Sequence, residues 1–341
     1  MRSLLLAVTI GVTTAVGSVS AQADPVADFY KGKTVSIMVG LAPGGIYSNM
    51  AQTIAGHLGR HIPGSPHVIV QHMTGAGGTI VINHVYNVAP KDGTVLLTPN
   101  ASLTKRKVIG EPNTMYDPIK FNWLGGWGEP ANDCSVLKAT SPVKTIQEAR
   151  EKEVVFGAND VSSTTYTNPF ALNMVTGTKI KLVPGYGGGA QVRLAMERGE
   201  VHGFCGQYES WTTGKPEWLR DGKLIHLVQF TSKRAREMPD VPTAAETART
   251  DEEREILVLL QAGPEDRAMV APPGVPAERV AALEKAYAST LADPKLLEEA
   301  NRQQFPIQPI PAKDVRAYVE QLVKMKPETA EKLKKVTGRG G

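Results

Sequence analysis

Apolar positions along this chain switch repeatedly between a strand period and a helix period, and the switch points outline its architecture. The run TVSIMVGL from Thr34 is β-rich and nearly all apolar, as expected of a strand covered on both faces. Beyond the turn at Pro43-Gly44-Gly45, Met50, Ile54 and Leu58, with Ala51 and Ala55, recur on one helical face, and Asn49 with Gln52 makes a capping-box-like start. HVIVQHM then predicts a strand, TGAGG a loop, TIVINHVYNVA a helix and TVLLTPN another strand. Such alternation predicts an α/β lobe with a parallel sheet, whose ligands sit outside the carboxyl ends of its strands.

After the Gly-rich, turn-like stretch FNWLGGWGEPAND the alternation restarts. CSVLKA, EVVFGAN, KIKLVPGY and VHGFCG predict strands, and SPVKTIQEAREK, TYTNPFALNMVTG and GGGAQVRLAMERG predict helices, the last one capped by Gly199. This second lobe repeats the device of the first, a Gly-rich turn after a strand, at Gly187-Gly188-Gly189. KLIHLVQF at 223–230 is expected to carry the chain back. Three helices follow, the first with Val280, Leu283, Tyr287 and Leu291 on one face, and they cover an earlier lobe for want of a sheet of their own; EKLKKVTGRGG reads as a solvated end. The expected division is 24–130 plus 233–341 for one lobe and 131–232 for the other.

Composition narrows the function classes. With 341 residues, 41% of them hydrophobic, the chain can build two compact cores at roughly 100–200 residues per domain. The formal charge of +4 carries no dominant block of either sign, so neither nucleic acid nor an anionic membrane is implied as a partner. Arg2, the apolar run LLLAVTIGVTTAVGSVS and the small residues up to Ala23 read as a secretory signal peptide over 1–23, with the mature chain starting near Asp24. Cys134 and Cys205 are then either joined in an oxidising compartment or buried as small apolar side chains.

Candidate chemistry concentrates in the glycine loops. Glycine lets backbone N–H groups turn toward a ligand, and the helix that follows leaves its first N–H groups unpaired. A carboxylate or phosphate can be held there largely without a cation. Neither G-x-G-x-x-G nor GxxxxGK[ST] is present, which excludes the common nucleotide loops, and GxSxG and HExxH are absent too. His57 and His61 have a ligand-like spacing, but no carboxylate or cysteine nearby in sequence completes a metal set. Lys105-Arg106-Lys107 either meets an anionic ligand or, as charge runs usually do, forms a solvated face. Tyr47, Tyr166, Tyr186 and Tyr208 either line a ligand wall or pack lobe edges.

DFYKGKTVSIMVGLAPGG, HIPGSPHVIVQHMTGAGG, NVAPKDGTVLL, MERGEVHGFCG, KPEWLRDGK and APPGVPAERVAAL, in that order, resemble the periplasmic solute receptors of the tripartite tricarboxylate transporter family, often called Bug receptors. The resemblance implies a type II periplasmic binding protein: two α/β lobes joined by crossover strands around a ligand cleft, closing on a small carboxylate and delivering it to a membrane permease. It also implies a periplasmic, monomeric, non-enzymatic protein with no cofactor. Loops matching Pro43, Gly44, Gly45, Ile46, Tyr47, Ser48 and Asn49, and Gly75, Ala76, Gly77 and Gly78, embrace one carboxylate in the family. Loops matching 159–165 and 185–189 contact the rest, placing Asp160, Ser162, Ser163, Thr164, Tyr186, Gly187 and Gly188 in the candidate site; Asn100, Ser102 and Gln207 complete it.

The chain departs from the family pattern at two loops. Relatives usually carry Gly-Gly-Gly-Tyr-Asp or Gly-Gly-Gly-Thr-Asp where this chain has Gly44-Gly45-Ile46-Tyr47-Ser48, and Ser-Gly-x-Gly-Ser where it has Asn159-Asp160-Val161-Ser162-Ser163. A carboxylate has moved from one wall to the other. Either the ligand has a donor or cationic end, or Asp160 turns away from the cleft. An exported enzyme acting on a small acid, or a receptor presenting its ligand to a sensor, are the competing readings.

Overall fold

The computed structural model describes residues 24–99, 103–128, 130–231, 233–303 and 307–337, so the expected signal peptide, Asn100 and Ser102 lie outside the described residues. Ten strands are described: β1 (Thr34–Val39), β2 (His67–His72), β3 (Val95–Thr98), β4 (Asn122–Gly126), β5 (Asn132–Leu137), β6 (Val154–Gly157), β7 (Ile180–Val183), β8 (Gly203–Gln207), β9 (Leu224–Gln229) and β10 (Ala268–Ala271). They form two five-stranded sheets, ordered β2-β1-β3-β10-β4 and β7-β6-β8-β5-β9. In each sheet one strand runs antiparallel to its neighbours, β10 in the first and β5 in the second. β5 follows β4 of the first sheet and β10 follows β9 of the second, so the chain crosses between the sheets at each of these strands and forms a two-lobed type II fold.

β1 shows why the first lobe forms. Val35, Ile37 and Val39 point to one face and pack with Met50, Ile54 and Leu58 of the helix Ile46–Leu58 and with Leu283, Tyr287 and Leu291 of the helix Ala277–Leu291. Met38 points to the other face, among Val81, Leu97, Val270 and Val315. The second sheet is likewise covered twice, by Phe156, Leu172 and Leu227 on one side and Val192, Met196, Phe204 and Trp211 on the other. Cys134 lies directly opposite Cys205 in the β5–β8 ladder and the two are joined in a disulfide.

Five expectations are corrected. The stretch read as turn-like contains β4. KLIHLVQF forms the outer strand β9 of the second sheet, and the return to the first is made by β10. The helix expected across SPVKTIQEAREK is confined to Glu148–Glu151. The first-lobe helix begins at Ile46 with Gly45 as its cap, so Asn49 and Gln52 lie inside it and form no capping box. Up to Thr337 the C-terminal segment is not a solvated end: in the helix Pro327–Val336, Leu333 and Val336 pack into the second core beside Leu172, as do Leu257 and Leu260, although they follow residue 233. No described helix is long and apolar enough to cross a membrane.

Candidate functional site

Three helices point their N-termini at one cavity. Ile46–Leu58 is capped by Gly45 where β1 ends, Thr164–Thr176 by Ser163 beyond β6, and Gly189–Glu197 by Gly188 beyond β7. None of the three caps accepts a side-chain hydrogen bond from the backbone N–H groups of its helix. Ser163 Oγ instead donates to the Asp160 carbonyl at 2.7 Å. Each terminus therefore keeps first-turn N–H groups and the positive end of its dipole for a ligand. The cavity between them, about 60 Å³, is lined by Leu41, Ala42, Gly45, Ile46 and Tyr47 of the first lobe. Asn159, Ser163, Thr164, Thr165, Gly188, Gly189, Arg193, Phe204, Gly206, Gln207 and Ser210 of the second lobe complete the lining.

The lobes meet around this cavity. The Ala42 N–H donates to the Gly187 carbonyl at 3.4 Å, and Gln207 Nε2 donates at 2.8 Å to the Tyr47 hydroxyl, which donates at 3.1 Å to the Asp266 carbonyl. A buried ion pair, Arg267 with Glu209, ties the lobes beside it. The structure thus holds a closed arrangement.

Of the candidate residues, Gly45, Ile46, Tyr47, Ser163, Thr164, Gly188 and Gln207 line the cavity. Pro43, Gly44, Ser48, Asn49, Tyr186 and Gly187 do not. Gly44, at φ +85°, faces the second lobe, where an added Cβ would lie 3.7 Å from Ala190. Ser48 is buried against β2, 2.9 Å from His72 Nε2, an imidazole whose pKa burial lowers. The Gly187 N–H is taken by Gln191 Oε1 at 2.7 Å.

The loop Gly75-Ala76-Gly77-Gly78 lies off the cavity and has a different occupant. All four residues have positive φ, from +45° at Ala76 to +129° at Gly75, which turns the loop around the Arg106 guanidinium. Arg106 Nη1 donates to the Ala76 carbonyl at 3.0 Å and to Thr79 Oγ1 at 2.8 Å. A Cβ on Gly77 would lie 2.5 Å from Arg106 Nη2 and 2.9 Å from Ser162 Oγ of the other lobe, so any side chain here would have to displace both at a φ of +54°. Lys105 and Arg106 are buried and only Lys107 is exposed, which corrects the reading of the run as a solvated face. Burial lowers the Arg106 pKa, and the charges of Glu111 and Asp160 oppose that shift. Asp160 does not line the cavity; its Oδ1 accepts from the Ser162 N–H at 2.8 Å and from Ser162 Oγ at 2.6 Å.

Arg193, absent from the expected set, is the cation that does line the cavity. It is 5% exposed, its side chain makes no hydrogen bond or ion pair among the described residues, and its Nη1 is buried without a partner. Burial alone pulls its pKa down to about 10, so it stays protonated at neutral pH. Asn159 Oδ1 and Gln207 Oε1, on the same lining, are buried acceptors without a donor. The sequence signal for Arg193 was its place four residues after Gly189, on the face that buries Val192 and Met196.

The histidines of the first lobe take structural roles. His57 meets Glu299 at 2.6 Å and His61 meets Asp293 at 2.7 Å, joining the helix Ile46–Leu58 and the turn after it to the C-terminal helices, and no metal-binding cluster is found among the described residues.

Solved structures share this architecture. The periplasmic binding protein BugD superposes with a TM-score of 0.72 at 23% identity, covering 91% of this chain and 99% of that one. A protein of R. palustris solved with adipate gives 0.69 at 23% identity, covering 90% and 97%. MatC from Rhodopseudomonas palustris, solved with malate, gives 0.67 at 23% identity, covering 89% and 99%. No curated protein sequence matches the chain. A family profile described as tripartite tricarboxylate transporter family receptor matches residues 50–334, most of the chain's length, and the chain belongs to that family.

Proposed function

We propose that this protein is a non-enzymatic, extracytoplasmic receptor that captures a small carboxylate between its lobes and presents it to the membrane permease of a tripartite transporter. The observation that carries the reading is the convergence of three helix N-termini, none capped by a side chain, on one interlobe cavity. Such termini favour an anion, and the buried Arg193 beside them adds a full positive charge. The relatives solved with adipate and malate carry acids of this class. In this reading 1–23 is removed on export to the periplasm, and Asp24, which accepts from the Val26 N–H at 2.9 Å, opens the mature chain as the cap of its first helix. The division into lobes is 24–130 with 262–323, and 131–261 with 327–337; the working form is a monomer.

A thermal-shift screen of mono-, di- and tricarboxylates tests the reading. An acid at 100 times its dissociation constant stabilises the native state by about 2.7 kcal/mol, enough to move a melting curve visibly. The acid is recovered unchanged and in stoichiometric amount; turnover would transfer the protein to the exported enzymes. A screen in which no carboxylate moves the melting curve overturns the proposal.

A further inference from the structure

We infer that Arg193 is the charge partner of the bound acid, and that Asn159 and Gln207 select an acid bearing a hydroxyl or ammonium group beside its carboxylate. This rests on the carboxylate reading above and specifies the ligand further. Arg193 lies in a slot made by absent side chains: a Cβ on Gly189 would come within 3.3 Å of its Nη1, and one on Gly214 within 2.4 Å of its Cζ. The slot brings a charged group out of water without giving it a counter-ion, an arrangement that is strongly unfavourable unless something else supplies one. Two other buried guanidiniums are provided for, Arg267 by Glu209 and Arg106 by Ala76, Thr79 and the charge of Glu111. Arg193 differs by opening on the cavity. A ligand carboxylate there completes the pair, and the three helix termini reinforce it.

The two acceptors set the second requirement. The Tyr47 hydroxyl gives its proton to the Asp266 carbonyl, so it accepts from Gln207 Nε2, and this fixes the amide with Oε1 as its unpaired end. Asn159 Oδ1 is unpaired as well. A carboxylate has only acceptors and leaves the fixed Gln207 oxygen unsatisfied, whereas a neighbouring hydroxyl or ammonium can donate to it and to Asn159 Oδ1.

Calorimetric titration of the purified protein with two matched series tests this: propionate, lactate and alanine, then succinate, malate and aspartate. Within the chain length that binds, a hydroxy or amino acid should bind at least about ten-fold tighter than the unsubstituted acid. Arg193→Met should weaken binding by at least about 100-fold, while the ligand-free variant melts at or above the wild-type temperature, because an unpaired buried charge has been removed. A merely structural arginine would lower that temperature. Asn159→Leu keeps the charge and should reduce the preference between substituted and unsubstituted acids, leaving the part due to Gln207. Binding that survives Arg193→Met, or a preference for the unsubstituted acid, overturns this inference alone; a wild-type protein that takes up no acid at all sinks the carboxylate reading with it.

Discussion

Arg106 and Arg193 are both buried arginines beside the interlobe space, one in each lobe, and they are equipped in opposite ways. Arg106 is wrapped by a loop of positive-φ residues, donates to Ala76 and Thr79, and has Glu111 3.8 Å away with Asp160 across the seam. Arg193 has a slot between two glycines and no partner among the described residues. A cation whose counter-charges are built in serves the protein's own structure. A cation left without one, at the wall of a cavity, is available to a ligand. In the proposed complex the first lobe meets the acid with one helix N-terminus and Tyr47, and the second with two helix N-termini and a full charge.

Exchanging each arginine for an apolar side chain of similar length separates the two roles most strongly. Arg106→Met removes one partner of a buried charged network and leaves the Ala76 carbonyl and Thr79 without their donor, so stability should fall by about 3–5 kcal/mol in a denaturant titration. Arg193→Met should show no such loss. Equal destabilisation of the two variants would erase the contrast.

The next effect in size belongs to the second lobe alone. Cys134 and Cys205 staple its two antiparallel central strands, 71 residues apart in the chain, and the first lobe has no counterpart. Reduction, or the double Cys→Ala variant, should lower stability by about 2–4 kcal/mol. If the lobes then unfold in separate steps, the second should melt first; an unchanged melting curve under reductant would show that the staple contributes nothing.

What the sequence revealed of this arrangement depended on whether the cause was local. β1, the glycine corners and the parallel alternation were legible because burial on two faces and βα turns leave marks within ten residues. β4 was misread because Gly125 and Gly126 suggested a turn. In the fold a Cβ on Gly125 would lie 3.0 Å from the Ile310 carbonyl, and one on Gly126 3.3 Å from that of Arg267, so these glycines mark close backbone approach by segments far along the chain. β10 is only four residues long and gains its identity from strands far earlier in the chain, such as Leu97 opposite Val270 and Asn122 opposite Ala271. Arg106 was hidden for the same reason. A run of three basic residues reads as surface, and the Ala76 and Thr79 oxygens that bury its centre lie some 30 residues away. The candidate site was legible at its backbone corners and illegible at its charge.

The smallest predicted effect probes how the first lobe governs the second. Tyr47→Phe keeps the ring packed edge-on against Trp127 and removes only the hydroxyl that receives Gln207. A buried amide donor is then left unpaired, which costs the closed form about 1–2 kcal/mol, a factor of about 5–30 in affinity. Loss of a closing contact should appear as faster release with little change in the rate of capture. The Gln207 amide also becomes free to turn its nitrogen toward the ligand, since nothing now fixes which end is the acceptor. Discrimination in favour of hydroxy or amino acids should therefore shrink in Tyr47→Phe even though Asn159 and Arg193 are untouched. A variant that binds more weakly but keeps the full discrimination would mean that Gln207 is oriented by something other than the first lobe.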